Sequence, residues 1–161
     1  MRKALLLSLA TTTLALTTAA HADAFFNDNL KGVPVCFAQS TVSASDDAKR
    51  LSPTIEAAVY AAALQQLRTA GVPFTTTCKN SRYDLQVYID AMDGPKDAGI
   101  TVFTFALDVF DFDSAEVGAI IYQDSAYGFT SRTGADFGAH IATNVANKVK
   151  VFAQAYRTLN R

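Results

Sequence analysis

Between Tyr83 and Ala91 the chain reads YDLQVYIDA, and its side chains alternate without a break. Tyr83, Leu85, Val87, Ile89 and Ala91 fall on one side; Asp84, Gln86, Tyr88 and Asp90 fall on the other. Period two is the signature of a strand with one face in a core and the other turned outward. The stretch therefore demands a sheet, and a layer of apolar side chains to cover one face of it. The neighbouring segments extend that sheet. Ile100 to Phe110 is β-branched and aromatic on both sides and reads as a central strand; Val117 to Phe129 reads as a further strand, with Gly118 and Gly128 permitting twist or a bulge. The connections MDGPKDAG (92–99) and DFDSAE (111–116) are turn chemistry. Consecutive strands joined this way form an antiparallel meander.

The covering layer comes from two helices. Ser52 can cap the first, Pro53 suits its first turn, Glu56 favours its positive end, and Gly71 stops it. Ile55, Val59, Ala63 and Leu67 recur on one face, with many alanines allowing close approach to a neighbour. The second helix runs from about Gly134 to Leu159, with Thr133 and Asp136 as a capping box. Its apolar stripe is Phe137, Ile141, Val145, Val149, Phe152 and Tyr156. Val33 to Ala38 reads as a first strand that Pro34 places at a beginning or an edge, Gln39 to Arg50 as a polar loop, and Pro73 to Cys78 as a short strand or extended turn. The expected order is β-α-β-β-β-β-α: an α+β domain with one mostly antiparallel sheet and both helices packed on one face. A pairing of the first and third strands would be parallel and right-handed.

The start of the chain reads as an export leader. Arg2 and Lys3 precede an apolar run from Ala4 toward Leu16, and Ala20-His21-Ala22 supplies small residues at the cleavage positions. A membrane span needs roughly 20 predominantly apolar residues, and here threonines dilute a shorter run. The expected organisation is a signal peptide over 1–22, a polar lead-in over 23–31 (DAFFNDNLK) and a single domain over 32–161. The expected compartment is periplasmic or extracellular, with a soluble product after cleavage following Ala22. Cleavage removes Arg2 and Lys3 but no acid, so the mature chain is mildly acidic. That charge argues against a general affinity for nucleic acid or anionic lipid. In an oxidising compartment the cysteine pair, Cys36 and Cys78, is expected to be a disulfide. Redox or metal-binding thiols are disfavoured by their wide spacing.

At the level of pattern, Leu67 to Gly71, the Asp84-Leu85-Gln86-Val87 strand, and the long strand ending Leu107 to Asp111 resemble the TolB N-terminal and CsgG-like periplasmic domains. Those families share a strand, a helix ending Leu-x-x-x-Gly, an Asp-Leu-x-Val strand, a hairpin and a closing amphipathic helix. The resemblance implies envelope assembly or partner binding and supplies no catalytic residue. The chain departs from it in having no lipobox, in its cysteine pair, and in Tyr122 where a Trp is common.

No catalytic, metal or cofactor motif stands out. His140, the sole histidine after the leader, is read as a helix-flank residue. Asp90, Asp93 and Asp97, and Asp108, Asp111, Asp113 and Glu116, are read as solvated turn acids at opposite ends of the sheet. Gly134 and Gly138 open a helix without a phosphate-binding fingerprint. Tyr88, Tyr122, Tyr127 and Phe129 are left as a candidate partner surface. The function expected is a non-enzymatic exported binding or assembly domain, acting through a sheet face or edge strand on an envelope protein or a second copy of itself. The alternatives are a small hydrolase with a dispersed site and a carrier of a small apolar ligand.

Overall fold

The computed structural model describes residues 27–46, 49–50, 53–94, 98–113 and 118–161. The leader and its cleavage point lie outside the described residues. A mixed seven-stranded sheet carries two helices: β1 (Val35–Cys36), β2 (Val42–Asp46), β3 (Lys49–Arg50), α1 (Pro53–Ala70), β4 (Phe74–Thr75), β5 (Tyr83–Asp93), β6 (Thr101–Asp111), β7 (Ala119–Thr130) and α2 (Gly134–Leu159). β5, β6 and β7 form the antiparallel meander, with β6 in the middle. On the other side of β5 lie β1 and β2, both parallel to it; β4 is parallel to β1, and β3 antiparallel to β2.

The polar stretch expected to be a loop contains β2 and β3. Cys36 pairs with Asp84 and Val42 with Val87, so the register offset against β5 is 48 residues in β1 and 45 in β2. The difference is the three-residue 3-10 turn Gln39–Thr41, tied by the Thr41 amide and hydroxyl to the Ala38 carbonyl at 3.0 and 2.8 Å. One strand is thus interrupted by an excursion and resumes on the same face. Phe37 and Val42 are buried on either side of the turn, and Ser43 points outward. VSASD carries too little apolar character to reveal this; pairing with β5 makes it a strand.

The core lies between the helices and one face of the sheet. Leu85, Val87, Ile89 and Ala91 of β5 and Phe103, Phe105, Leu107 and Val109 of β6 face the stripe Phe137, Ile141, Val145, Val149, Phe152 and Tyr156 of α2, all buried in one cluster with Ile55, Val59, Ala63 and Leu67 of α1. Tyr122 meets Phe152 edge-on at 5.2 Å. The helices approach closely at Gly138, where a Cβ would stand 3.2 Å from Ile55 Cγ1. Glu56, expected only to favour the helix start, is buried, and its Oε1 accepts from the Ala44 amide at 3.3 Å, joining α1 to β2. Thr133 occupies the N-cap position of α2, but its side chain makes no capping bond; its carbonyl accepts from Phe137 N at 3.2 Å. Gly71 ends α1 at φ +67°, a conformation that favours glycine.

The lead-in is stitched to the domain. Leu30 is fully buried, and its carbonyl accepts from Asn160 Nδ2 at 3.0 Å. Gly32 N donates to Asn160 Oδ1 at 2.6 Å, and Tyr156 Oη donates to the Val33 carbonyl at 2.8 Å. Cys36 and Cys78 form a disulfide, joining β1 to the connection between β4 and β5. Among the described residues, no helix is long and apolar enough to cross a membrane.

Candidate functional site: the helix-free face of the sheet

Residues directly opposite in an antiparallel pair share a face, so the register specifies what the helix-free face presents. Its rows across β5, β6 and β7 are Met92–Val102–Phe129, Asp90–Thr104–Tyr127, Tyr88–Ala106–Ser125, Gln86–Asp108–Gln123 and Asp84–Phe110–Ile120. Phe129 and Tyr127 are each 75% exposed, Met92 45% and Tyr88 40%. The upper two rows thus hold an exposed apolar patch, and Ile120 and Phe112 are exposed at the lower end.

Tyr122 does not belong to this surface; it is 0% exposed and packs under the helices. It lies five positions before Tyr127, and an odd separation puts two residues of one strand on opposite faces. A bulge then adjusts the strand further: Val109 pairs with Tyr122 but Phe110 with Ile120, leaving Ile121 without a partner and turning Ile120 outward. Counting parity along the strand separates Tyr122 from Tyr127 and Phe129; the bulge expected near Gly118 or Gly128 falls at Ile121, at neither glycine. Burial, with the Asp124 charge nearby, pushes the Tyr122 phenol well above its ordinary value. Asp124 is buried on the same inner face and receives Lys148 Nζ of α2 at 2.6 Å.

The middle of the outer face is polar and partly covered. Asp108, read from sequence as a turn acid, sits inside β6 and is only 4% exposed. The rings of Tyr88 and Phe110, diagonal neighbours across the Gln86–Asp108 row, meet edge-to-face with centroids 6.4 Å apart. Tyr88 Oη donates to Gln86 Oε1. Gln123 stands opposite Asp108 in the register, and Asp108 Oδ1 finds no donor among the described residues. Asp84 Oδ1 is likewise buried without a donor among the described residues; the nearby Ser81 hydroxyl donates to the Tyr83 carbonyl at 3.1 Å. Burial pushes both carboxyls above their ordinary value.

Beside Asp84 the interrupted first strand leaves an open groove of about 510 Å³, lined also by Ser40, Thr41, Ser43, Lys79, Gln86 and Tyr88; Asp108 is not part of its lining. The sulfurs of Cys36 and Cys78 and a carboxylate oxygen of Asp84 lie within 4.8 Å of one another. Both sulfurs are committed to the disulfide, so this is no thiolate metal site. The remaining acids have other surroundings. Asp111 accepts from Arg82 Nε at 2.9 Å, which holds its carboxyl below the usual range, and Asp113 pairs with Arg82 at 2.7 Å. Asp97 and Glu116 fall outside the described residues.

His140 sits on α2 against Phe103, edge-on at 5.7 Å, with Arg132 Nη1 3.4 Å from Nδ1 and Asn144 Nδ2 3.3 Å from Nε2. Burial and the Arg132 charge lower its pKa. These neighbours provide neither a nucleophile nor an orienting carboxylate, the partners a general base requires.

No family model matches the chain, and no curated protein matches it. Among solved structures it is similar to a point variant of the PelC dodecamer from Paraburkholderia phytofirmans, at 20% identity over 76% of this chain and 87% of that one, with a TM-score of 0.48.

Proposed function

We propose that this chain is an exported, non-catalytic binding or assembly domain that engages a protein partner through the helix-free face of its sheet. The observation that carries the reading is the Met92–Val102–Phe129 and Asp90–Thr104–Tyr127 pair of rows, where two aromatic rings stand 75% exposed on the outermost strand of the meander. Large apolar side chains grouped on one uncovered face mark partner surfaces. The disulfide suits an oxidising compartment, the leader pattern points the same way, and the resemblance to TolB N-terminal and CsgG-like domains agrees.

Photo-crosslinking in the exported fraction tests this directly. A benzophenone side chain at Tyr127 or Phe129 is expected to trap a discrete protein adduct, and one at exposed Gln154 of α2 is not. The trapped species should vanish when the other aromatic is replaced by serine. Adducts from Gln154, with none from the sheet face, would overturn the assignment.

A further inference from the structure

We propose that the polar centre of the helix-free face is a binding site for a small primary or secondary ammonium ligand, held by Asp84 and Asp108 beneath the Tyr88 ring. The site shares a face with the aromatic patch but does not rest on the reading above; a domain that met no protein there would still hold it.

Three observations converge. The first is a space: the groove opened by the Gln39–Thr41 excursion reaches Asp84, Gln86 and Tyr88, and Asp108, outside its lining, stands opposite Gln86 in the register. The second is a pair of unmet acceptors. Asp108 Oδ1 and Asp84 Oδ1 are buried and have no donor among the described residues, and a buried acceptor without a donor is costly. A ligand bearing N–H groups removes that cost. A positive charge also restores carboxylates that burial disfavours. The third is aromatic: Tyr88 and Phe110 meet over the Gln86–Asp108 row, and ring faces attract a desolvated cation.

The chemistry narrows the class. Quaternary ammonium offers charge without donors and leaves both oxygens unmet; a neutral alcohol offers a donor without charge. Lys79, the positive side chain of the groove wall, comes from the β4–β5 connection, so the ammonium group belongs at the β5–β6 side. Tyr88, 40% exposed, is the movable cover: its ring must swing off Asp108 to admit the ligand.

Titration of the disulfide-intact protein with n-butylammonium, followed by NMR shifts of the Gln86 and Gln123 side-chain amides, tests the site. Saturable shifts at those amides are expected, with little response to tetramethylammonium or butanol. Asp108→Asn and Asp84→Asn should each weaken binding about tenfold. Asp108→Asn is expected to fold at least as well as the parent, so a loss of binding in it reports the site. Equal shifts with butanol, equal shifts with tetramethylammonium, unchanged affinity in both variants, or no saturable shift with n-butylammonium would each overturn the proposal.

Discussion

Asp108 has one oxygen without a donor among the described residues and is only 4% exposed, in the row that the Tyr88 and Phe110 rings meet across. Its folded carboxyl titrates above the unfolded value of 3.8. The folded state therefore takes up its proton at higher pH than the unfolded chain. Stability from this group is complete below the unfolded value and is lost as pH rises through the folded one. Asp108→Asn removes the charge and keeps the shape. The variant should be more stable than the parent at neutral pH by about 1 kcal/mol. The gap should close as the pH approaches the unfolded carboxyl range. Urea unfolding at both pH values measures it, and a gap that persists in acid would place the gain elsewhere. His140 has the opposite sign: its folded value is lowered, so its contribution is present above the unfolded histidine value and is lost as pH falls toward the folded one.

At the scale of elements, β6 and β7 meet through a fitted contact. Gly128 lies opposite Phe103, and a Cβ there would stand 2.7 Å from Phe103 Cζ. Gly128→Ala should cost about 1–3 kcal/mol by overpacking. The smaller side chain of Phe103→Leu should recover much of it. Urea unfolding of the two single variants and the double variant checks this, and additive losses would rule out the contact as the cause. The elements themselves differed in legibility. The alternation of β5 and the stripe of α2 were readable because each has an unbroken period, and the α2 bounds agree with those expected. β2 was not readable: Val42 and Ala44 are its only apolar residues, and its strand character comes from β5, distant in sequence. Asp108 was misread because its burial depends on the diagonal placement of Tyr88 and Phe110 on different strands, which only register reveals. The sequence likewise shows no sign that Asp84 lies beside the groove.

For the whole molecule, the disulfide closes a sequence separation of 42 residues and ties β1 to the β4–β5 connection. On the chain-entropy account such a closure contributes about 4 kcal/mol, chiefly by restricting the unfolded chain. Cys36→Ala with Cys78→Ala should lower the urea midpoint accordingly, and a phosphine reductant should do the same to the parent. A midpoint indifferent to both would mean that the unfolded chain is already constrained near these residues.

The clamp of Asn160 and Tyr156 on Leu30 and Val33 joins residues up to 130 positions apart. It bears on how the protein is made. A ribosome delivers the sheet before α2, so a nascent chain halted short of Gly134 leaves the Leu85–Ala91 and Phe103–Val109 rows without the α2 side chains that cover them. Late closure of this kind slows folding, since the longest loop must be closed before its contacts form. It leaves the unfinished polypeptide a natural client of holding chaperones until its last turn of helix has been added.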